Sequence, residues 1–140
     1  PAEMYLLFAD EGALSLARAL TVLAEGDHPA VFHCAAGKDR TGVLAALLLL
    51  ALGVPEDVVV DDYQLTELAV ARQAEWLVRH EPESAAEMDR MPGWIRASRP
   101  YVMRAFLDGL RADHGSPEGY LSDIGIDQAV ITTLQERLLV

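Results

Sequence analysis

Ten consecutive residues, Val43 to Leu52, carry no polar side chain. The run is rich in Leu and Ala and closed by Gly53 and Pro55, so it reads as a helix that is apolar all the way round. Such a helix has to be buried in a core. It is too short to cross a bilayer, which needs about 20 apolar residues. Immediately before it stand a Pro-marked turn, "DHP", and the short apolar run Ala30 to His33, the one clear strand in the chain. Strand, loop and buried helix in that order form the unit with which α/β proteins present a loop to an anion. The predicted fold class is therefore α/β. A single strand cannot satisfy its own backbone groups in a core. Either residues 4–8 hide a further strand, or an upstream segment or a second chain completes the sheet; the reading favoured is missing upstream sequence.

The remaining pattern is helical. "DEGALSLARALTVLAEG" places Leu14, Ala17, Leu20 and Leu23 on one face, with acids read as its N-terminal turn and Gly26 as its stop. From Pro55, "VPEDVVVDDYQLTELAVARQAEWLVRH" predicts one long helix or two in series. "EPESAAEMDRMPGW" is the most polar and least periodic stretch and reads as a loop or the edge of a lid. An amphipathic helix then stops at Gly115, a Ser116 cap opens "SPEGYL", and Asp127 caps a terminal helix. No repeat or linker divides the chain, so residues 1–140 are expected to form one domain.

Composition excludes several functions. A net charge of −11 and a pI near 4.6 leave no basic stripe to bind a nucleic-acid backbone. One cysteine precludes an internal disulfide and suits a reducing, cytoplasmic setting, with secretion left open. The four histidines are scattered and none pairs with a second cysteine at ligand spacing, so no metal is expected. No transmembrane segment is predicted.

Against this acidic background, "HCAAGKDRTG" (His33 to Gly42) holds the only cysteine, the only lysine and an arginine. The loop between Cys34 and Arg40 can curl so that the backbone N–H groups of Ala35, Ala36, Gly37 and Lys38 point inward, a nest for a tetrahedral anion at a helix N-terminus. The same field favours thiolate over thiol at Cys34. Arg40 offers a planar fork for two phosphate oxygens. Gly37 permits a tight backbone turn, and the Thr41 hydroxyl can serve the cysteine sulfur. A nucleotide-binding P-loop does not fit, since Phe32 occupies its first glycine position and Asp39 follows Lys38.

These residues carry a resemblance. The segment matches the H-C-x5-R-[ST]-G signature of the cysteine-dependent protein tyrosine phosphatase superfamily. More narrowly, it resembles the bacterial tyrosine/lipid phosphatase family whose loop reads H-C-x-A-G-K-D-R-T-G. "VVVDDY" and "HGSPEGYLSDIGI" are similar to that family's later landmarks, so the likeness runs from about Leu14 onward. It implies a mostly parallel sheet flanked by helices, of which this chain is mainly the helix-rich C-terminal part. It also implies a two-step, metal-independent phosphomonoester hydrolysis through a cysteinyl-phosphate on Cys34, without cofactor, and a helical lid over about 72–100. Within the signature, His33 tunes the thiolate and Gly42 is a supporting position. The family's N-terminal motifs of the D-L-G-G and R-S-G type are absent here.

Proton donation to the leaving group is the open element. No W-P-D triplet is present. Asp39 is the candidate general acid, because related phosphatases with K-D-R loops are thought to use that aspartate; Asp10 is the weaker alternative, and a helix-capping or Arg40-orienting role for Asp39 competes with both. Lys38 can reach a second phosphate, which fits phosphoinositides, yet no polybasic patch faces a membrane. Phosphotyrosine proteins and phosphoinositides both stand as substrates. Two rival functions are a catalytically incomplete phosphate-binding module and, more distantly, a rhodanese-type sulfur transferase.

Overall fold

The computed structural model describes residues 2–139; positions 1 and 140 of the expected domain lie outside them. The described residues form nine helices: α1 (Ala2–Glu11), α2 (Ala13–Glu25), α3 (Asp39–Ala51), α4 (Glu56–His80), α5 (Pro82–Arg90), α6 (Gly93–Arg96), α7 (Pro100–His114), α8 (Pro117–Asp123) and α9 (Gln128–Leu138).

The apolar run becomes α3, with Val43, Leu44, Ala46, Leu47, Leu50 and Ala51 buried. It packs against α1, α2, α4, α8 and α9, which explains why no face of it is polar. Around it the core gathers Tyr5 and Leu20 from the N-terminal helices, Phe106 and Leu107 from α7, Leu121 from α8 and Leu134 from α9. Full burial of one such leucine is worth about 1.5–3 kcal/mol.

The α/β expectation is overturned: among the described residues there is no strand and no sheet. Residues 4–8, the alternative second strand, lie in α1, where Tyr5 and Ala9 share a buried face at helical spacing. Ala30 to His33 is left without a ladder partner, and an unpaired extended segment is not a strand. Val31 is 91% exposed there.

Two helix boundaries also differ from expectation. Asp10 and Glu11 end α1 rather than open the next helix, and Leu14 is exposed at the start of α2. The polar stretch after His80 is helical, as α5 with Pro82 in its first turn and then α6. Trp76, Met91 and Trp94 lie at the surface, with Trp76 stacked on His80 at 4.7 Å. The later caps form as the sequence predicts. Gly115, at φ +78°, ends α7; Ser116 Oγ accepts from the Gly119 N–H at 2.9 Å, and Asp127 Oδ1 from the Val130 N–H at 3.0 Å. Asp127→Ala should destabilise the fold by about 1 kcal/mol, read as a lower urea midpoint at unchanged slope.

Candidate active site

Residues 34–38 link the extended segment to α3 and turn through Gly37, whose φ of +63° lies in the left-handed region. The turn brings the ends of the signature together. The Cys34 N–H donates to Thr41 Oγ1 at 2.9 Å across the mouth of the helix. That leaves the Thr41 hydroxyl proton free for sulfur.

Burial alone would push the Cys34 thiol up. The Thr41 hydroxyl and the backbone N–H groups of Thr41, Lys38 and Ala36 outweigh it, and the thiol is lowered from 9.0 to about 6. Cys34 is therefore mostly thiolate at neutral pH. This gives a direct check: alkylation by iodoacetamide should rise with pH around a midpoint of about 6. In Thr41→Val, which keeps the shape but removes the donor, the midpoint should move up toward the ordinary thiol range.

Cys34, Thr41, His33 and Arg40 line one cavity of about 440 Å³, whose apolar wall comes from Phe8, Leu16 and Phe32. Arg40 is exposed on this cavity, and among the described residues no ion pair engages it. His33 is exposed, its Nδ1 3.2 Å from the Cys34 carbonyl. Ala35, Ala36 and Gly37 are exposed and do not line this cavity.

Lys38 and Asp39 face elsewhere. They line a second cleft of about 280 Å³ with Tyr5, Tyr63, Trp94 and Arg99. Lys38 is only 4% exposed, and its Nζ donates to the carbonyls of Trp94 at 3.4 Å and Ala97 at 3.2 Å while pairing with Asp39 Oδ1 at 3.2 Å. The ammonium thus ties the loop to the α6–α7 connection. Asp10 lies in a third cavity, beside His114 and Tyr120, and does not line the Cys34 cavity.

Three residues escaped the sequence reading. Glu11 lines the Cys34 cavity. Tyr5 donates from its hydroxyl to Asp39 Oδ1 at 2.7 Å, and the Tyr5 and Tyr63 hydroxyls lie 2.6 Å apart. Gly42 eases the approach of Tyr63: a Cβ there would stand 3.1 Å from the Tyr63 ring and would press it back by a few tenths of an ångström. The available signal was Tyr63 at the end of "VVVDDY", four residues after the buried Val59 and hence on its face.

A lowered thiol and an exposed guanidinium, which no ion pair engages among the described residues, meet on one cavity at a helix N-terminus. The comparison with known families agrees. Residues 2–140 match the model of the tyrosine phosphatase family, and the chain belongs to that family. It is 36% identical over 135 residues to the triple specificity protein phosphatase PtpB of Mycobacterium tuberculosis, covering 89% of this chain and 49% of that protein. It is 35% identical over 121 residues to a tyrosine-protein phosphatase of Nostoc commune, covering 84% of this chain and 41% of that one. The chain thus spans about half or less of the length of these relatives. No helix among the described residues is long and apolar enough to cross a membrane.

Proposed function

We propose that the chain is the Cys34-bearing part of a phosphomonoester hydrolase acting through a cysteinyl-phosphate. The observation that carries this is the thiol lowered to about 6 at the mouth of a cavity shared with Arg40, which no ion pair engages among the described residues. In the first step the Cys34 sulfur attacks phosphorus and the S–P bond forms as the P–O ester bond breaks. Arg40 and the N–H groups of the 35–38 nest hold the equatorial oxygens. Asp39, which lines the second cleft but sits next to Arg40 at the same helix start, reaches across to give its proton to the departing oxygen, so an alcohol leaves and a carboxylate remains. In the second step Asp39 takes a proton from water as the water oxygen bonds phosphorus and the S–P bond breaks. Phosphate and the thiolate are released, and the reaction needs no metal. A free thiolate nucleophile suits a reducing compartment.

Phosphotyrosine proteins and phosphoinositides are the proposed substrates; the tyrosine-phosphatase name supports the first, and the triple specificity name supports a range of more than one substrate kind. Helices α5 and α6 with the 91–99 segment act as the lid, supported by the Lys38 tether to Trp94 and Ala97. A second assignment of the proton donor is Glu11, favoured by its place on the Cys34 cavity. The test of the function is turnover of a phosphotyrosine peptide, a phosphoserine peptide and short-chain phosphoinositides. Release of phosphate from the tyrosine peptide or a phosphoinositide is expected. Phosphate binding without release from any of them would mark a binding module instead.

A further inference from the structure

Asp39 is gripped by groups that play no part in the chemistry just described. Its Oδ1 accepts from Tyr5 of α1 and pairs with Lys38, while Tyr63 of α4 meets Tyr5 from behind. The direction of this chain follows from proton counting. Whether the carboxyl is ionised or carries its proton on Oδ2, Oδ1 can only accept, so the single Tyr5 proton goes to Asp39. The Tyr5 oxygen is then the acceptor for the Tyr63 proton, which gives Tyr63→Tyr5→Asp39. Burial first, together with the hydrogen bond it gives Asp39, holds the Tyr5 phenol far above its ordinary range, so it stays a donor.

The chain is also rigid. Tyr5 is 1% exposed and meets Tyr63 and Phe106 edge-on, with ring centroids 6.1 and 6.2 Å apart. The Tyr63 ring is fixed against the bare backbone at Gly42. The described partners of the carboxylate all take Oδ1, and its side chain keeps 28% exposure. Oδ2 is therefore the oxygen that can hold a transferable proton. A core that needed only two aromatic rings here would have been served by phenylalanines, without burying two hydroxyls that require partners.

We infer that Tyr63 and Tyr5 are positioning residues for proton transfer: they fix Asp39 through Oδ1 so that Oδ2 delivers its proton to the leaving oxygen. This rests on the assignment of Asp39 as proton donor made above. The two tyrosines and Asp39 line the second cleft, and neither tyrosine lines the Cys34 cavity. Their effect must therefore appear only where the leaving group needs a proton.

The test measures kcat/KM in the full encoded chain for aryl phosphates ranging from an activated dinitrophenyl ester to a phenyl ester. The variants are Tyr5→Phe, Tyr63→Phe, Asp39→Asn and Glu11→Gln, with vanadate affinity as a control for the phosphate nest. Tyr5→Phe should lower kcat/KM for the phenyl ester roughly ten- to hundredfold, the scale expected from a misplaced catalytic group. The dinitrophenyl ester and vanadate binding should change little. Tyr63→Phe, one link further back, should give a smaller loss of the same selectivity, and it carries the test if Tyr5→Phe folds poorly. Combining Tyr5→Phe with Asp39→Asn should add nothing to the phenyl-ester loss of Asp39→Asn alone. A uniform loss across all esters, or none, in both tyrosine variants overturns the inference. If Asp39→Asn still shows the selective loss, the acid assignment survives that result. If Asp39→Asn lacks it, and above all if Glu11→Gln has it, both fall together.

Discussion

Cys34→Ser is expected to abolish turnover of an aryl phosphate, by a factor on the order of 10⁶, the scale seen when an enzyme's nucleophile is removed. The reason lies in the site and not in side-chain size, which hardly changes. The nest holds sulfur as an anion at neutral pH, because the Thr41 hydroxyl and the N–H groups of Thr41, Lys38 and Ala36 converge on it against the effect of burial. A serine hydroxyl in the same place stays protonated and finds no base described beside it. The oxyanion-binding part is untouched, so phosphate affinity and the thermal midpoint should survive the substitution. Stopped turnover with retained binding separates a lost nucleophile from a lost fold. Retained turnover would move the chemistry to another residue.

The second large effect is at Arg40. Its guanidinium lies exposed on the cavity with Cys34, free of any ion pair among the described residues, and so is available to the phosphate dianion. Arg40→Ala should cost about 10³ to 10⁵ in kcat/KM, the range for an arginine that stabilises a phosphoryl-transfer transition state. Arg40→Lys keeps the charge but loses the planar fork, and should still cost on the order of 10²–10³. If charge alone mattered, lysine would restore most of the rate. The comparison therefore reads geometry against charge at one position, and Lys38 cannot substitute, since its ammonium is buried against Trp94, Ala97 and Asp39.

What could be read from the residues was what depends on near neighbours. The burial of α3 followed from ten apolar residues in a row, and the caps at Ser116 and Asp127 from single polar side chains before helices. The turn at Gly37 was likewise legible, from a glycine in the short loop before a helix. The strand reading at Ala30 to His33 failed because strand formation depends on a distant partner, and no local pattern supplies one. α5 was misread for the opposite reason: its residues are polar, and only Ala85 is buried in a helix held mainly against α4. The split of the signature into two clefts was equally out of reach. Lys38, Asp39 and Arg40 are consecutive, yet successive residues at a helix start point in different directions. Which of them meets Tyr5, 34 residues from Asp39, is set by packing of α1 on α3.

The central claim is that Cys34 carries the phosphoryl group. Its most direct measurement is an acid quench during turnover of an aryl phosphate, followed by mass spectrometry of the peptide that contains residue 34. One added phosphate on Cys34 in the parent, absent in Cys34→Ser, is the result expected. Steady hydrolysis with no phosphate on Cys34 at any time would contradict the account.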